Sequence, residues 1–527
     1  MSAAGSTTGA SPDERYALVV DLGTGGPKVG LCSLTGTVAW QEHHAVETHR
    51  HDDGGATQDA GEWWRLICDA TRRALADGAV PADRVVAVSI TGQWASTVPV
   101  DATGEPVGEC LLWMDTRGGP AVRKAVGGPI EGYHPIKLAE FIRRSGGAPS
   151  LAGSDPIGQQ FALREQLPDV WNAARWLLEP VDYLSMRFTG VAAASAASMA
   201  GVWMCDTRDP AVCAYDPKLA ALGEMDLAKH APLRPFGTVI APISAAVADD
   251  LGLSRLVAVV TGCPDLHSST VGSGAVGDRE AHLAVSTSGW IGAPVLKKKT
   301  DIFRSIATVP GLDPSHYLVA NNHETSGLAF AWLKSILVSP DADDLSFAAL
   351  GDLAGASAPG SGGAIFTPWL NGERSPVADS RARAAFHNLS SSTTRADMAR
   401  AVLEGVALNN LWLLDACDKF VGETLDPIRM IGGGAQSDLW CQIHADVLGR
   451  TIEQVADPLF VGMRGAALIA AMALGEVKAT EVRALVPVRE TYRPHADAVE
   501  AHRGAVAEFP KLYAMQKKMF HRLNRHE

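Results

Sequence analysis

Residues 16–46 read YALVVDLGTGGPKVGLCSLTGTVAWQEHHAV, and their punctuation decides the fold class. The apolar run 16–21 predicts a strand that ends in Asp21 and is closed by Gly23-Thr24-Gly25-Gly26. A second strand is predicted over 29–34, Thr35-Gly36 makes a turn, and a third strand spans 37–46. Three strands joined by tight turns form a meander. Helical spacing predicts a helix over 60–76, then a strand over 84–90 closed by Thr91-Gly92-Gln93-Trp94. A meander followed by helix and strand is not the strict alternation of a dinucleotide-binding sheet. Shorter strands are expected at 96–100 and 110–114.

The second half repeats the theme. Strands are predicted over 255–260, 281–287, 291–296, 317–322 and 428–431. Helices are predicted over 265–272, 325–338, 395–419, 437–448 and 464–474. VVDLGTGG at 19–26 and AVSTSGW at 284–290 are both strand–turn segments with Thr and Gly at the tip, a weak internal repeat. They suggest two related domains facing one cleft, with a boundary near residues 274–280.

The chain has 527 residues, enough for three or four ordinary domains or two large ones. An apolar share of 46% with 20% charged residues excludes a disordered chain, a rod and a disulfide-stapled mini-protein. Asp plus Glu outnumber Lys plus Arg by 59 to 46, for a net charge of −13, which disfavours nucleic acid as a partner. Eight cysteines without a C-x-x-C pair are expected as packed, reduced thiols. Residues 1–14 lack the basic start and apolar core of a signal peptide and are expected to form a flexible tail. No apolar run is long enough to span a membrane. A cytoplasmic location follows as the expectation.

Four motifs carry chemistry. Asp21-Leu22-Gly23-Thr24-Gly25-Gly26-Pro27-Lys28 suits a hairpin that turns amides toward phosphate, with Asp21 toward Mg²⁺ and Lys28 neutralising charge; it also reads as a plain Gly-rich hairpin. Gly432-Gly433-Gly434 between strand and helix allows a ligand close to the backbone, or simply a tight turn. Asp265 stands where a strand passes into a helix, either as an N-cap or as a general base. Trp113-Met114-Asp115-Thr116-Arg117 suits polyol hydroxyls, or an ion pair after a strand.

Other patterns fail. Gly272-Ser273-Gly274-Ala275-Val276-Gly277 matches G-x-G-x-x-G but follows a helix and precedes a strand, against NAD binding. No Gly-Lys dipeptide exists for a P-loop. His323-Glu324 lacks the second histidine of a zinc motif, because residue 327 is Gly. The cluster Glu42, His43, His44, His49 and His51 and the run Lys297-Lys298-Lys299 read as solvated loops.

Together these segments resemble the FGGY carbohydrate kinases over about residues 15–480, most closely the xylulokinase-like pentulose kinases. DLGTGGPK at 21–28 is similar to the family's first phosphate loop. QDAGEWW at 58–64, ITGQW at 90–94, LWMDTR at 112–117 and WLLEPVDYLSMRFTG at 176–190 follow in the family's order. GCPD at 262–265, VSTSGW at 285–290, NGERSP at 371–376 and IGGGAQSDLWCQIHADVLGR at 431–450 complete it.

The resemblance implies an α/β fold of two ribonuclease-H-like (actin-like ATPase) domains around a central cleft. The tail 1–14 would precede an N-terminal domain at 15–277 with the sugar site. A C-terminal domain at 278–480 would hold the nucleotide, and 481–527 would form a helical extension. The implied reaction transfers the γ-phosphoryl group of MgATP to a hydroxyl of a small sugar, such as D-xylulose. Asp265 would be the catalytic base, and Asp21 with Asp265 would hold Mg²⁺. Gly23, Thr24, Lys28, Ser286 and Thr287 would grip phosphates, and Gly432, Gly433, Gly434 and Gln436 would shape the adenosine site. Gln93, Trp94, Trp113, Asp115 and Leu266 would line the sugar pocket with Asp265. The partners implied are sugar and ATP, with neither nucleic acid nor membrane, and a homodimer is the assembly open to it.

This chain departs from the family at Gly25-Gly26-Pro27, at Trp94-Ala95-Ser96 in place of Met-His-Gly, and at Leu266 where Asn is usual. Lost hydrogen-bonding groups leave another pentulose, a tetrulose or a polyol open as substrate. An actin-like nucleotide-binding protein without sugar kinase activity is the alternative from another class.

Overall fold

The computed structural model describes residues 14–212, 214–337 and 346–524. Residues 1–13 of the expected tail, Cys213 and the last residue of the helix expected at 325–338 lie outside them.

The meander is β1 (Tyr16–Gly23), β2 (Gly26–Ser33) and β3 (Val38–His43). Then come α1 (Ala60–Ala76), β4 (Val85–Gly92) and α2 (Pro180–Thr189). β5 (Val239–Pro242), β6 (Ala258–Val260), β7 (Cys263–Pro264) and α3 (Asp265–Ser273) close the first half. The second half opens with β8 (Ala281–Val285) and β9 (Gly289–Gly292), followed by α4 (Gly327–Leu337), α5 (Phe347–Gly355) and α6 (Arg395–Val421). It continues with β10 (Ile428–Ile431), α7 (Asp438–Leu448), β11 (Ile452–Val455) and α8 (Val461–Ala473). β12 (Val488–Tyr492) and α9 (Ala496–Leu523) end the described chain, so the expected extension carries a strand as well as a helix.

The weak sequence repeat corresponds to a topological one. The first sheet runs β5-β6-β4-β1-β2-β3, with β7 also on β4; the second runs β9-β8-β10-β11-β12. From β2 through β1, β4 and β6 to β5 the pairings are antiparallel, parallel, parallel, antiparallel. From β9 through β8, β10 and β11 to β12 they follow the same sequence.

The period of two in β1 sorts its side chains between two cores. Tyr16, Leu18, Val20 and Leu22 face the core shared with α1, while Ala17 and Val19 face a central layer. α1 contributes Trp63, Ile67, Ala70 and Ala74, one helical face, and Asp59 caps it by accepting from the Gly61 N–H. In the second sheet, Leu283 and Val285 join an outer core with α6, and Ala284 turns to the centre.

The central layer is formed by α3 and α8. α8 packs across β1, β4 and β2 of the first sheet, and α3 reaches β10 of the second. Small residues permit that approach, and Ala466, Ala467 and Ala470 are fully buried there. Gly272, from the failed G-x-G-x-x-G pattern, lies against the Val461 carbonyl of α8, where a β-carbon would overlap it.

One further reading changes in three dimensions. Lys298 Nζ donates to the carbonyls of Ile142 (3.2 Å) and Arg143 (2.7 Å) near the end of helix Pro135–Ser145, and Lys299 Nζ donates to Phe420 O (2.7 Å) at the end of α6. These cations complement helix C-termini rather than lying free in a loop. Cys32, Cys68, Cys110, Cys263, Cys417 and Cys441 are buried, unpaired thiols, as expected, and burial pushes Cys32 and Cys263 up to about 12. No described helix is long and apolar enough to cross a membrane.

Candidate active site

The β1–β2 register places Asp21 opposite Lys28 and Gly23 opposite Gly26. Lys28 Nζ lies 3.1 Å from Asp21 Oδ2, and the aspartate's charge pushes the lysine above its usual value. Gly26 has φ +117°, and a β-carbon there would strike the His44 carbonyl, so the turn requires glycine. The chain beyond β3 staples this turn, with His44 N–H on Pro27 O (3.0 Å) and Val46 N–H on Gly25 O (3.2 Å).

Thr24 ties the hairpin to two residues assigned to the sugar pocket. Its hydroxyl accepts from Trp113 Nε1 (3.1 Å) and donates to Gln93 Oε1 (3.2 Å), and its carbonyl accepts from Gln58 Nε2 (2.7 Å). Gln58 opens the QDAGEWW segment, the local signal that marks it. Gln93 is 6% exposed, and its Nε2 has no protein partner. A buried, unpaired amide donor is costly unless something meets it.

Asp265 enters this group through β7, which pairs parallel to β4 with Cys263 opposite Thr91 and Pro264 opposite Gly92. It is the first residue of α3, and Pro264 holds the cap position, so Asp265 is no N-cap. Its Oδ1 accepts its neighbour Leu266's N–H at 2.8 Å. Burial, and then the charge of Asp21, push its carboxyl up to about 6, against the Leu266 amide and Lys28. Thr91 donates to Ser268 (2.7 Å) and ties α3 to β4.

Asp115 has a different place. It is fully buried, and its oxygens accept from Arg117 Nη2 (2.6 Å), Arg117 Nε (3.0 Å) and the Ala56 N–H (3.0 Å). It anchors the loop that carries Trp113 and presents no surface to a ligand, because the buried guanidinium beside it consumes its lone pairs.

The second half supplies a cleft of about 1300 Å³ lined by Ser286, Thr287, Gly433, Gly434 and Gln436. Gly432 lies behind it at φ +86°, where a β-carbon would stand 2.5 Å from Ser286 Oγ. α4 begins against this loop, with Gly327 N–H on Ser286 O (2.6 Å) and Ser326 N–H on Thr287 O (3.0 Å). Leu328, Phe330, Phe347 and Leu459 add an apolar wall that carries no sequence motif.

Glu373 of NGERSP braces the same loop from beneath. Fully buried at its side chain, it accepts from His323 Nδ1 (3.1 Å), Asn409 Nδ2 (2.7 Å) and the Glu324 N–H (3.0 Å). The His323 backbone in turn pairs with Gly289 at the start of β9. The cleft and the first hairpin are joined through the start of α8: Leu459 lines the cleft, and Gly462 abuts the Asp21 carboxylate.

Asp21 and Asp265 repel across the open site with Lys28 as the nearby cation, a donor set that fits a divalent ion. Among the described residues, no group of three or more His, Cys, Asp or Glu is placed to hold a metal. Such an ion would complete its shell from phosphate and water.

Models of the FGGY family of carbohydrate kinases match residues 16–130 with the N-terminal domain and 286–474 with the C-terminal domain. The chain is 26% identical over 508 residues to a xylulose kinase of Staphylococcus epidermidis, covering 95% of this chain and 97% of that one. It is 23% identical over 525 residues to a gluconokinase of Bacillus subtilis, covering 96% and 97%. Among solved structures, a ligand-bound xylulose kinase from Lactobacillus acidophilus aligns with TM-score 0.83 at 22% identity, covering 97% of this chain and 100% of that one. A gluconate kinase from the same species gives 0.82 at 23%, covering 95% and 98%. These structural likenesses show a two-domain actin-like α/β fold.

Proposed function

Because the chain belongs to the FGGY family of carbohydrate kinases, ATP-dependent sugar kinases, we propose that it phosphorylates a small ketose, a pentulose such as D-xylulose, in the cleft between its two halves. The observation that carries this reading is the convergence of Asp265, Asp21 and Lys28 with the unpaired amide of Gln93, beside the nucleotide-sized cleft.

Phosphoryl transfer asks chiefly for positioning and charge neutralisation. Ser286, Thr287 and the Gly432–Gly434 turn receive the nucleotide, with its base against Phe330 and Leu459. Lys28 and the hairpin face its phosphates. Asp21 and Asp265 would hold Mg²⁺, which supplies neutralisation of phosphate charge. Gln93 Nε2 donates to a sugar oxygen and so orients the acceptor. The attacked hydroxyl gives its proton to Asp265 as its oxygen bonds to the γ-phosphorus. The bond from that phosphorus to the bridging oxygen breaks, and ADP leaves. Base catalysis of this kind contributes about 10²–10⁴-fold.

ADP release over pentuloses, tetruloses, polyols and gluconate tests the reading. The expected result is sugar-stimulated turnover with a ketose. ATP binding without turnover on any of them would replace it with a nucleotide-binding role. The cytoplasm, a homodimer and the absence of nucleic acid remain parts of the same proposal.

A further inference from the structure

Asp265 and Gln93 are each followed directly by an apolar residue. Trp94 directly follows Gln93. Its indole N–H is spent on the Ser198 carbonyl (2.7 Å), and its ring stands edge-on to His267 at 6.1 Å. Gly201 seats it so closely that a β-carbon there would lie 3.1 Å from the indole ring. Trp290, from the second half, spends its N–H on His282 Nε2 (3.2 Å). Both rings pack on one apolar patch with Leu266, Ala200, Val309 and Leu318. Leu266 directly follows Asp265 and is 7% exposed. The third tryptophan, Trp113, gives its N–H to Thr24.

Trp94, Trp113 and Trp290 thus commit every indole N–H to the protein, while Gln93 Nε2 has no protein partner. Thr24 fixes that amide by donating to its oxygen. Gln93 and Asp265 offer a donor and a carboxylate, whereas the second edge, the Trp94–Leu266–Trp290 patch, offers chiefly ring and methyl surface. A hydroxyl turned to that second edge would lose its water partners and gain none.

We propose that the preferred acceptor is a deoxygenated ketose or polyol, with a methyl or methylene carbon against the Trp94–Leu266–Trp290 wall and an oxygen on Gln93. This rests on the reading of Asp265 and Gln93 as facing the sugar.

The test uses the full-length chain with D-xylulose and its analogues singly deoxygenated at each carbon, read as kcat/KM from ADP release. One analogue is expected to exceed D-xylulose by about 10–100-fold, the discrimination an apolar pocket supplies. Leu266→Asn should narrow that ratio without moving the KM for ATP, and Trp94→Met gives an independent second variant. A parent sugar preferred over every analogue, with a ratio that neither variant moves, overturns the proposal while leaving the kinase intact. Failure of every sugar to stimulate turnover overturns the underlying reading and the proposal with it.

Discussion

Gly465 of α8 crosses Ser268 of α3 so closely that a β-carbon on the glycine would overlap the serine carbonyl oxygen. One helix follows the first sheet, and the other lies within the second half, so this crossing joins the two. It also brings the N-terminal ends of both helices, with Asp265 on one and Gly462 on the other, to the same site.

Gly465→Ala must therefore separate the helices. It should destabilise the protein by about 1–3 kcal/mol or more. Gly504→Ala, on α9 with open space around its α-carbon, should be neutral or stabilising by about 1 kcal/mol. Thermal unfolding of the two variants checks the contrast; equal melting temperatures would contradict it.

Asp265→Asn should keep ATP binding and lose about 10²–10⁴-fold in sugar phosphorylation. It should also be more stable than the parent at neutral pH. The folded carboxyl titrates at about 6, above its ordinary range, so the folded state disfavours the charged form. That penalty is complete above about pH 6 and absent below the unfolded value of ~4. The gain in melting temperature should follow the same window.

The same carboxyl sets the acid limb of the rate profile. Asp265 accepts a proton only when ionised, so kcat/KM should decline as pH falls below about 6. Asp21→Asn removes the neighbouring negative charge, makes ionisation easier and should move that limb to lower pH, besides weakening the dependence on Mg²⁺. A limb that stays in place would remove Asp21 from the pair.

Gln93→Ala should raise the KM for sugar by about 2–10-fold, the worth of one hydrogen bond, and leave the KM for ATP unchanged. Gly432→Ala should do the converse, because its β-carbon would strike Ser286 at the nucleotide cleft. Separate titrations of the two substrates distinguish them.

Much of this was legible locally. The helix expected over 60–76 and the strand over 428–431 match α1 and β10 in both limits, because apolar spacing and flanking polar or glycine residues act within a few residues. The candidate phosphate and nucleotide loops were visible for the same reason: turns of this kind need glycine. Asp115 was legible as a charged residue after a strand, but its burial against Arg117 depends on a backbone segment nearly sixty residues away. The apolar wall of Phe330 and Phe347 carries no signature, since ordinary amphipathic helices supply it.

The opening meander, the glycine turns and the acidic residues at strand ends follow from the sequence alone, because short-range sterics and a period of two determine them. Which aspartate is pushed toward neutrality, which lysines cap helices and which tryptophans lose their free N–H were decided only by the tertiary structure. Those properties depend on burial and on charges brought together from distant segments, and neither is written in local spacing.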